Sequence, residues 1–319
     1  MYDLIGDIHG HADELVQLLD VLGYQQKHGV YEHPDRRVIF LGDFIDRGPQ
    51  IRKVIEIVRP MVEAENALAV MGNHEFNALA FHTQHPRQTG MFLRHRDNKN
   101  IRQHSQTILQ FTDRQLADVL HWFGTLPMWL DRDGLRVVHA CWDERAIATI
   151  TAARPRGEDI SSDFLHAACD PGNPLYDAVE TVLKGKEAAL PVGQSFADKD
   201  GHVRTATRIR WYSSPLGQTY ATYALTDKID CDSALEPSVL EAATPYPLDA
   251  EPVFVGHYWL VGSQPELLAA NVACVDYSVA KGGFLCAYRW QGERTLNNHN
   301  FMWAGKESSE APPQTFVVR

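Results

Sequence analysis

Three short clusters near the start of the chain hold its most chemically versatile residues: Gly6-Asp7-Ile8-His9-Gly10, Gly42-Asp43-Phe44-Ile45-Asp46-Arg47-Gly48 and Gly72-Asn73-His74-Glu75. Each joins an imidazole or guanidinium to carboxylates or an amide, the side chains that bind ions and move protons. A single Asp-x-His would read as a turn or a helix cap. Here each cluster follows a short apolar run, and two further apolar runs end at a histidine, in Val137-Val138-His139-Ala140 and Val253-Phe254-Val255-Gly256-His257. Five clusters in one topological position imply a single site. In an open α/β sheet the loops at the strands' carboxyl ends converge, and glycines there let backbones approach closely.

The elements needed to place those clusters are legible. Tyr2 to Ile5, Arg37 to Leu41 and Ala67 to Met71 are runs of the kind a sheet buries. Between the first two, Leu15, Leu18, Leu19 and Leu22 recur at helical spacing and Gly23 stands where the helix ends. Between the next two, Pro49 is placed for a helix start, and Ile51, Val54, Ile55 and Val58 mark one face. Alternating strand and helix predict an α/β fold. From Phe76 to Phe123 the pattern is helical, with Thr112 and Gln115 spaced as a capping box. Asp131-Arg132-Asp133-Gly134 predicts a hairpin between Leu126–Leu130 and Leu135–Ala140. Asp143 to Lys186 reads as two or three helices broken at Pro155, Pro171 and Pro174, followed by a polar segment from Gln194 to Arg204. Val253 to Val255, Leu267 to Val275 and Phe284 to Tyr288 return to strand. The expected organisation is one domain over 1–305, with a helical insertion at about 143–205 and a tail of linker composition over 306–319.

Composition narrows the classes further. With 319 residues, 44% hydrophobic and 22% charged, the chain can bury a sizeable core. Thirty basic against 41 acidic residues give a net charge of −11, which disfavours gripping long nucleic acid or an anionic membrane. The cysteines, Cys141, Cys169, Cys231, Cys274 and Cys286, form no C-x-x-C pair, so neither a disulfide framework nor a thiolate metal site is expected. No run of 18 apolar residues and no leader pattern is visible, and a cytoplasmic location is the expectation.

The motifs GDIHG, GDFIDRG and GNHE, with His139, His257 and Cys274-Val275-Asp276-Tyr277-Ser278 before Gly282-Gly283, resemble the calcineurin-like metallophosphoesterase superfamily. Within it they resemble the branch of phosphoprotein phosphatases and bacterial diadenosine tetraphosphatases. The resemblance is close over residues 1–76 and holds in outline from about 127 to 290. It implies a four-layer αββα sandwich with two divalent metal ions at the strand ends. By that resemblance Asp7, His9 and Asp43 would hold one ion, and Asp43, Asn73, His139 and His257 the other, with Asp43 bridging. Carboxylate, imidazole and amide ligands without thiolate suit manganese first, with iron or zinc as alternatives, over calcium. Two ions about 3.5 to 4 Å apart would activate a shared hydroxide for in-line attack on phosphorus. His74 would be the general acid, Asp46 its orienting carboxylate, and Arg47 a two-point phosphate clamp. Arg210 is preferred to Arg208 as a second phosphate-binding arginine. Lys281 stands where relatives tend to carry an aromatic residue. His11, His82, His85, His95 and His104 are read as surface or capping residues.

Rival chemistries lack their parts. No cysteine has the C-x5-R spacing of a thiolate phosphatase, and no P-loop is present. A scaffold that had lost its chemistry would be expected to lack a ligand or the acid, and none is missing. Two substrate classes remain. The first reading is a serine/threonine phosphoprotein phosphatase, which needs an open groove. The alternative is a symmetrical dinucleoside polyphosphate hydrolase, which needs a basic slot and an aromatic platform for a base. Trp211, Tyr212, Tyr258 and Trp259 are candidates for that platform, or else core residues.

Overall fold

The structure of the protein is a computed structural model that describes residues 1–197, 201–226 and 228–305. The tail predicted over 306–319 and residues 198–200 of the polar segment lie outside the described residues. The chain opens with strand β1 (Tyr2–Ile5) and helix α1 (Ala12–Leu22), whose buried face includes the four predicted leucines and whose end is closed by Gly23 at φ 87°. A small hairpin, β2 (Gln25–Lys27) and β3 (Val30–Glu32), precedes β4 (Arg37–Phe40), α2 (Ile51–Glu63) and β5 (Ala67–Ala69). Pro49 stands just outside α2, whose N-cap is Gln50. Then come α3 (Asn73–His82), α4 (Asn98–Gln110) and α5 (Asp113–Thr125), the last opened by the Thr112–Gln115 capping box. In the hairpin of β6 (Trp129–Arg132) and β7 (Leu135–Val138), Asp133 and Gly134 take φ 55° and 84°, the mirror-image turn that Asp-Gly favours.

Helices α6 (Glu144–Ala153), α7 (Ser162–Ala168) and α8 (Pro174–Lys184) follow. Pro174 opens α8, because the first turn has no intrahelical N–H bond for proline to remove. The stretch predicted as helical to about residue 205 continues instead in small strands: β8 (Glu187–Ala189) pairs with β11 (Ala206–Arg208), and β9 (Phe196–Ala197) with β10 (Val203–Arg204). Short helices α9 (Tyr220–Tyr223) and α10 (Pro237–Ala242) lead back to β12 (Val253–Val255) and β13 (Val272–Cys274). The strand expected from Leu267 is cut to β13, because the N–H groups of Leu268 and Ala269 turn back to donate to the Val272 carbonyl. Strands β14 (Asp276–Tyr277), β15 (Phe284–Trp290) and β16 (Phe301–Ala304) complete the described chain.

Two sheets result. One runs β14-β15-β1-β4-β5 with β16 also on β15, its β1, β4 and β5 parallel; the other runs β13-β12-β7-β6. Strand alternation sends successive side chains to opposite faces. Leu4, Ile39, Leu41 and Val70 therefore meet Val137, Phe254 and Ala273 between the sheets. Ile5, Val38 and Phe40 pack instead with the helix residues Leu15, Leu19, Val54 and Val58. Val138, Val255 and Cys274 of the second sheet share a core with Ile150, Val179 and Val182 of α6 and α8. The arrangement is the four-layer αββα sandwich expected from the motifs, and it brings the ends of β1, β4, β5, β7 and β12 to one edge.

Candidate active site

The loops at that edge interlock through their backbones. The N–H groups of Ile8 and His9 donate to the Asp43 carbonyl, and the Gly256 N–H donates to that of His139. Glu75 ties the second and third loops together. Its carboxylate accepts the N–H groups of Asp43 (2.7 Å), Phe44 (2.8 Å) and Gly72 (2.9 Å). Two glycines permit the approach: a Cβ on Gly72 would lie 2.2 Å from Asp43 Oδ1, and one on Gly256 would lie 2.2 Å from Asp7 Oδ1. Six of the site's residues, His9, Asp43, Asp46, Arg47, His257 and Trp259, have φ between 45° and 69°. Each such non-glycine conformation costs about 1–3 kcal/mol and persists only where the surroundings impose it.

The predicted ligands lie side by side and are buried. Asp43 Oδ2 is 3.5 Å from His9 Nε2 and 3.4 Å from His139 Nε2, so one carboxylate serves two clusters. His9, Asp43 and His74 place candidate ligand atoms within 4.8 Å of one another, as do Asp43, His139 and His257. Asn73 Oδ1 stands 3.1 Å from His139 Nε2 and 2.6 Å from His257 Nδ1. Asp7 adjoins the second cluster, its oxygens 3.1 and 3.2 Å from the His257 N–H.

These residues fit divalent cations. His9 Nδ1 is 2.9 Å from the Ile45 carbonyl, which it can reach only as a donor. Burial, then His74, pushes the His9 ring down to about 3, so it is neutral and its lone pair is at Nε2, a buried atom with no hydrogen-bond partner. His257 Nε2 is a second such atom. His139 Nδ1, at 2.6 Å, likewise uses its proton on the Leu41 carbonyl and turns Nε2 inward. Burial opposes charge on His139, but Asp43 and Asp7 outweigh it and push the ring up to about 10. A proton there balances carboxylate charge that a cation would otherwise neutralise.

His74 Nδ1 lies 2.6 Å from Asp46 Oδ2, and its Nε2 is 3.9 Å from Asp43 Oδ2. The imidazole is thus held from behind by one carboxylate while its other nitrogen faces the shared one. Arg47, beside Asp46, lays its guanidinium over the Trp259 ring at 4.0 Å from the centroid. Lys281 Nζ is 5.6 Å from the same ring, and His9 packs edge-on to it at 6.2 Å.

The two candidate phosphate-binding arginines stand in different surroundings. Arg210 is engaged in its own loop, with Nε donating to the Ala224 carbonyl at 3.0 Å and Nη1 to the Tyr212 hydroxyl at 3.4 Å. Arg208 donates from Nε to the Lys184 carbonyl at 2.8 Å, and after burial its charge is the next cause holding His257 below its ordinary value. Arg208 also lines a cavity of about 720 Å³ between α6, α8, β8, β11 and α10. Trp211 and Tyr212 are core residues, 2% and 4% exposed, and Trp211 Nε1 donates to the Tyr258 hydroxyl. Of the four candidate aromatics, the half-buried Trp259 stands against Arg47 and His9, and Tyr258 packs edge-on to His257 at 5.7 Å.

Sequence reasoning missed Glu75, Thr107 and His104. His104 is no surface or capping residue: it is 4% exposed, and its Nδ1 is 2.7 Å from Asp46 Oδ1. The available signal was faint. His104 and Thr107, three residues apart, are the buried residues of the otherwise polar α4.

Residues 2–151 match the model of the calcineurin-like phosphoesterase family. The asymmetrical bis(5'-nucleosyl)-tetraphosphatase PrpE of Halalkalibacterium halodurans is 51% identical over 74 residues, which is 23% of this chain and 30% of that protein. Its counterpart in Oceanobacillus iheyensis is 48% identical over 73 residues, 23% and 29% of the two chains. The likeness thus spans less than a third of these relatives' own length. In three dimensions a protein serine/threonine phosphatase from Saccharomyces cerevisiae, with similarity to human phosphatase PP5, aligns over 98% of this chain and 81% of that one, with a TM-score of 0.50 and 15% identity. Over residues 2–151 this chain is thus similar in sequence to the calcineurin-like phosphoesterases, and the described residues share the fold of that phosphatase.

Proposed function

We propose that the protein is a metal-dependent phosphoric ester hydrolase. The observation that carries this reading is Asp43, whose Oδ2 stands 3.4 and 3.5 Å from histidines of two separate clusters. Asp7, His9 and Asp43 would hold one divalent ion, and Asp43, Asn73, His139 and His257 the other. When bound, such a pair supplies an activated water and neutralises charge on phosphoryl oxygens. The chain's own residues do the rest. Arg47 offers a planar fork to the phosphoryl oxygens. Asp46 fixes the His74 ring through Nδ1, so that Nε2 delivers a proton to the departing oxygen. Without that proton an alkoxide would have to leave.

For the substrate, a phosphorylated protein side chain is favoured by the cavity beside Arg208. Its walls carry Asp143, Asp177, Glu180, Glu187 and Glu236 as well as Arg145, Lys184, Lys186 and Arg208. A polyphosphate would meet repulsion there, whereas a peptide of mixed charge would not. The second reading, a dinucleoside polyphosphate, is supported by Trp259 and Lys281 at the rim, since a flat ring beside cations suits a base followed by phosphates. The test is phosphate release by metal-stripped protein reconstituted with manganese, from a phosphothreonine peptide and from diadenosine tetraphosphate at matched concentration. Turnover of the peptide with little of the dinucleotide is expected, and Asp43→Asn should abolish it. An Asp43→Asn protein with near wild-type turnover would overturn the shared-ligand reading, and dinucleotide cleavage alone would move the substrate to the second class.

A further inference from the structure

The carboxylate behind His74 is held by more than His74. Asp46 Oδ1 accepts the Thr107 hydroxyl at 2.6 Å and faces His104 Nδ1 at 2.7 Å, while Oδ2 faces His74 at 2.6 Å. The Asp46 N–H donates to Thr107 Oγ1 at 3.1 Å, so one face of α4 grips both its backbone and its side chain. Asp46 is itself at φ 67°, a conformation that only imposed contacts maintain. Behind His104 stands a third imidazole, His82, with its Nε2 3.2 Å from His104 Nε2.

With both imidazoles neutral, the proton count along this line has one consistent solution. Ionised Asp46 only accepts, so His104 donates from Nδ1 and, when neutral, accepts at Nε2. His82 must then donate from Nε2. Burial, followed by His104 and Arg96, pushes His82 down to about 4, so it is neutral and has a single proton to give.

We propose that His104 is a positioning residue for the acid of this site: its bond to Asp46 Oδ1 fixes the rotation in which Oδ2 meets His74, and His82 fixes His104. Without it Asp46 retains the Thr107 hydroxyl alone on Oδ1, and its plane can swing away from the His74 Nδ1–H. The inference rests on the reading of His74 as the acid, and the test separates the two.

His104→Leu fills the buried space without a donor, and His104→Asn restores an N–H close to Nδ1. Each manganese-loaded variant is assayed on phenyl phosphate, whose leaving group needs a proton, and on 2,4-dinitrophenyl phosphate, whose leaving group does not. His104→Leu should lose about 10- to 100-fold in kcat on phenyl phosphate, the usual scale for removing a supporting hydrogen bond. Its kcat on the dinitrophenyl ester and both KM values should hold, and His104→Asn should recover most of the loss. Equal losses on both esters, or none, in a folded metal-loaded His104→Leu protein overturn the proposal. If His104→Leu does not fold, His82→Leu at the half-buried end of the line decides: a smaller loss confined to phenyl phosphate supports the link, and an unchanged ratio refutes it. His74→Asn must itself show the leaving-group dependence, and if it does not, the acid reading falls and this inference with it.

Discussion

At the scale of single residues, the site depends on buried carboxylates held by several donors at once. Glu75 shows how demanding that is. It is fully buried, and burial, then Asp43, pushes its carboxyl up to about 7, yet its two oxygens collect three backbone N–H groups. Glu75→Gln conserves shape but turns an NH2 towards at least one of those donors. The expected cost is about 1–3 kcal/mol, the price of one buried unsatisfied donor, measured as a shift in urea midpoint with unchanged slope. A variant as stable as wild type would mean that the loops hold their register without this carboxylate. Asp7, His9, Asp43, Asn73 and His74 were legible in the sequence because each motif is local and follows its strand directly. His104 was not, because its partner Asp46 is 58 residues away and nothing in α4 itself announces the contact. The choice between Arg210 and Arg208 was not legible for a related reason. Alternation puts residues two apart on the same face and so cannot rank the two arginines, and only the packing of that segment, with Arg208 on the Lys184 carbonyl and Arg210 on the Ala224 carbonyl, sets them apart.

At the scale of elements, α6 and α8 line the mixed-charge cavity, and Asp143, which also lines it, anchors α6. It is the N-cap of α6, accepting the Ala146 N–H at 2.8 Å, and it pairs with Lys186 Nζ at 2.6 Å. Burial raises its carboxyl, but the hydrogen bonds from Lys186 and Ala146 outweigh burial and hold it below the ordinary value. A depressed carboxylate contributes stability above its unfolded pKa and loses it as pH falls through the folded one. Asp143→Ala should therefore cost about 0.5–2 kcal/mol at pH 7, on the scale of a lost cap, and the gap to wild type should narrow below about pH 4. Urea denaturation at pH 7 and pH 3.5 measures both; a gap that persists in acid would assign the loss to packing instead of to charge. These helices were foreseen from their apolar spacing and prolines, whereas β8 to β11 were not. Strands of two or three residues carry too little alternation to register as a pattern.

At the scale of the whole molecule, the part recognised by the family model is only half of a structure. Residues 2–151 contain β1, β4 and β5, but β1 is paired on its other side with β15, along Tyr2 to Ile5 against Trp290 to Ala287. The inner face of that sheet, Leu4, Ile39, Leu41 and Val70, is covered by Phe254, Ala273 and Val275 from the second half. Removing those partners exposes an apolar layer at roughly 25 cal/mol per Å² and leaves the edge of β1 with unpaired backbone groups. The site suffers the same loss, since the His257 N–H that Asp7 accepts comes from 250 residues further along the chain. A fragment of residues 1–151 should therefore show no cooperative thermal transition and no phosphate release with manganese, although it holds every residue of the three opening motifs. Adding the 152–319 half in trans should restore neither unless the two associate. Cooperative melting of the isolated fragment would mean that one sheet with α1 and α2 is a folding unit in its own right, and that the second sheet was laid over an already stable platform.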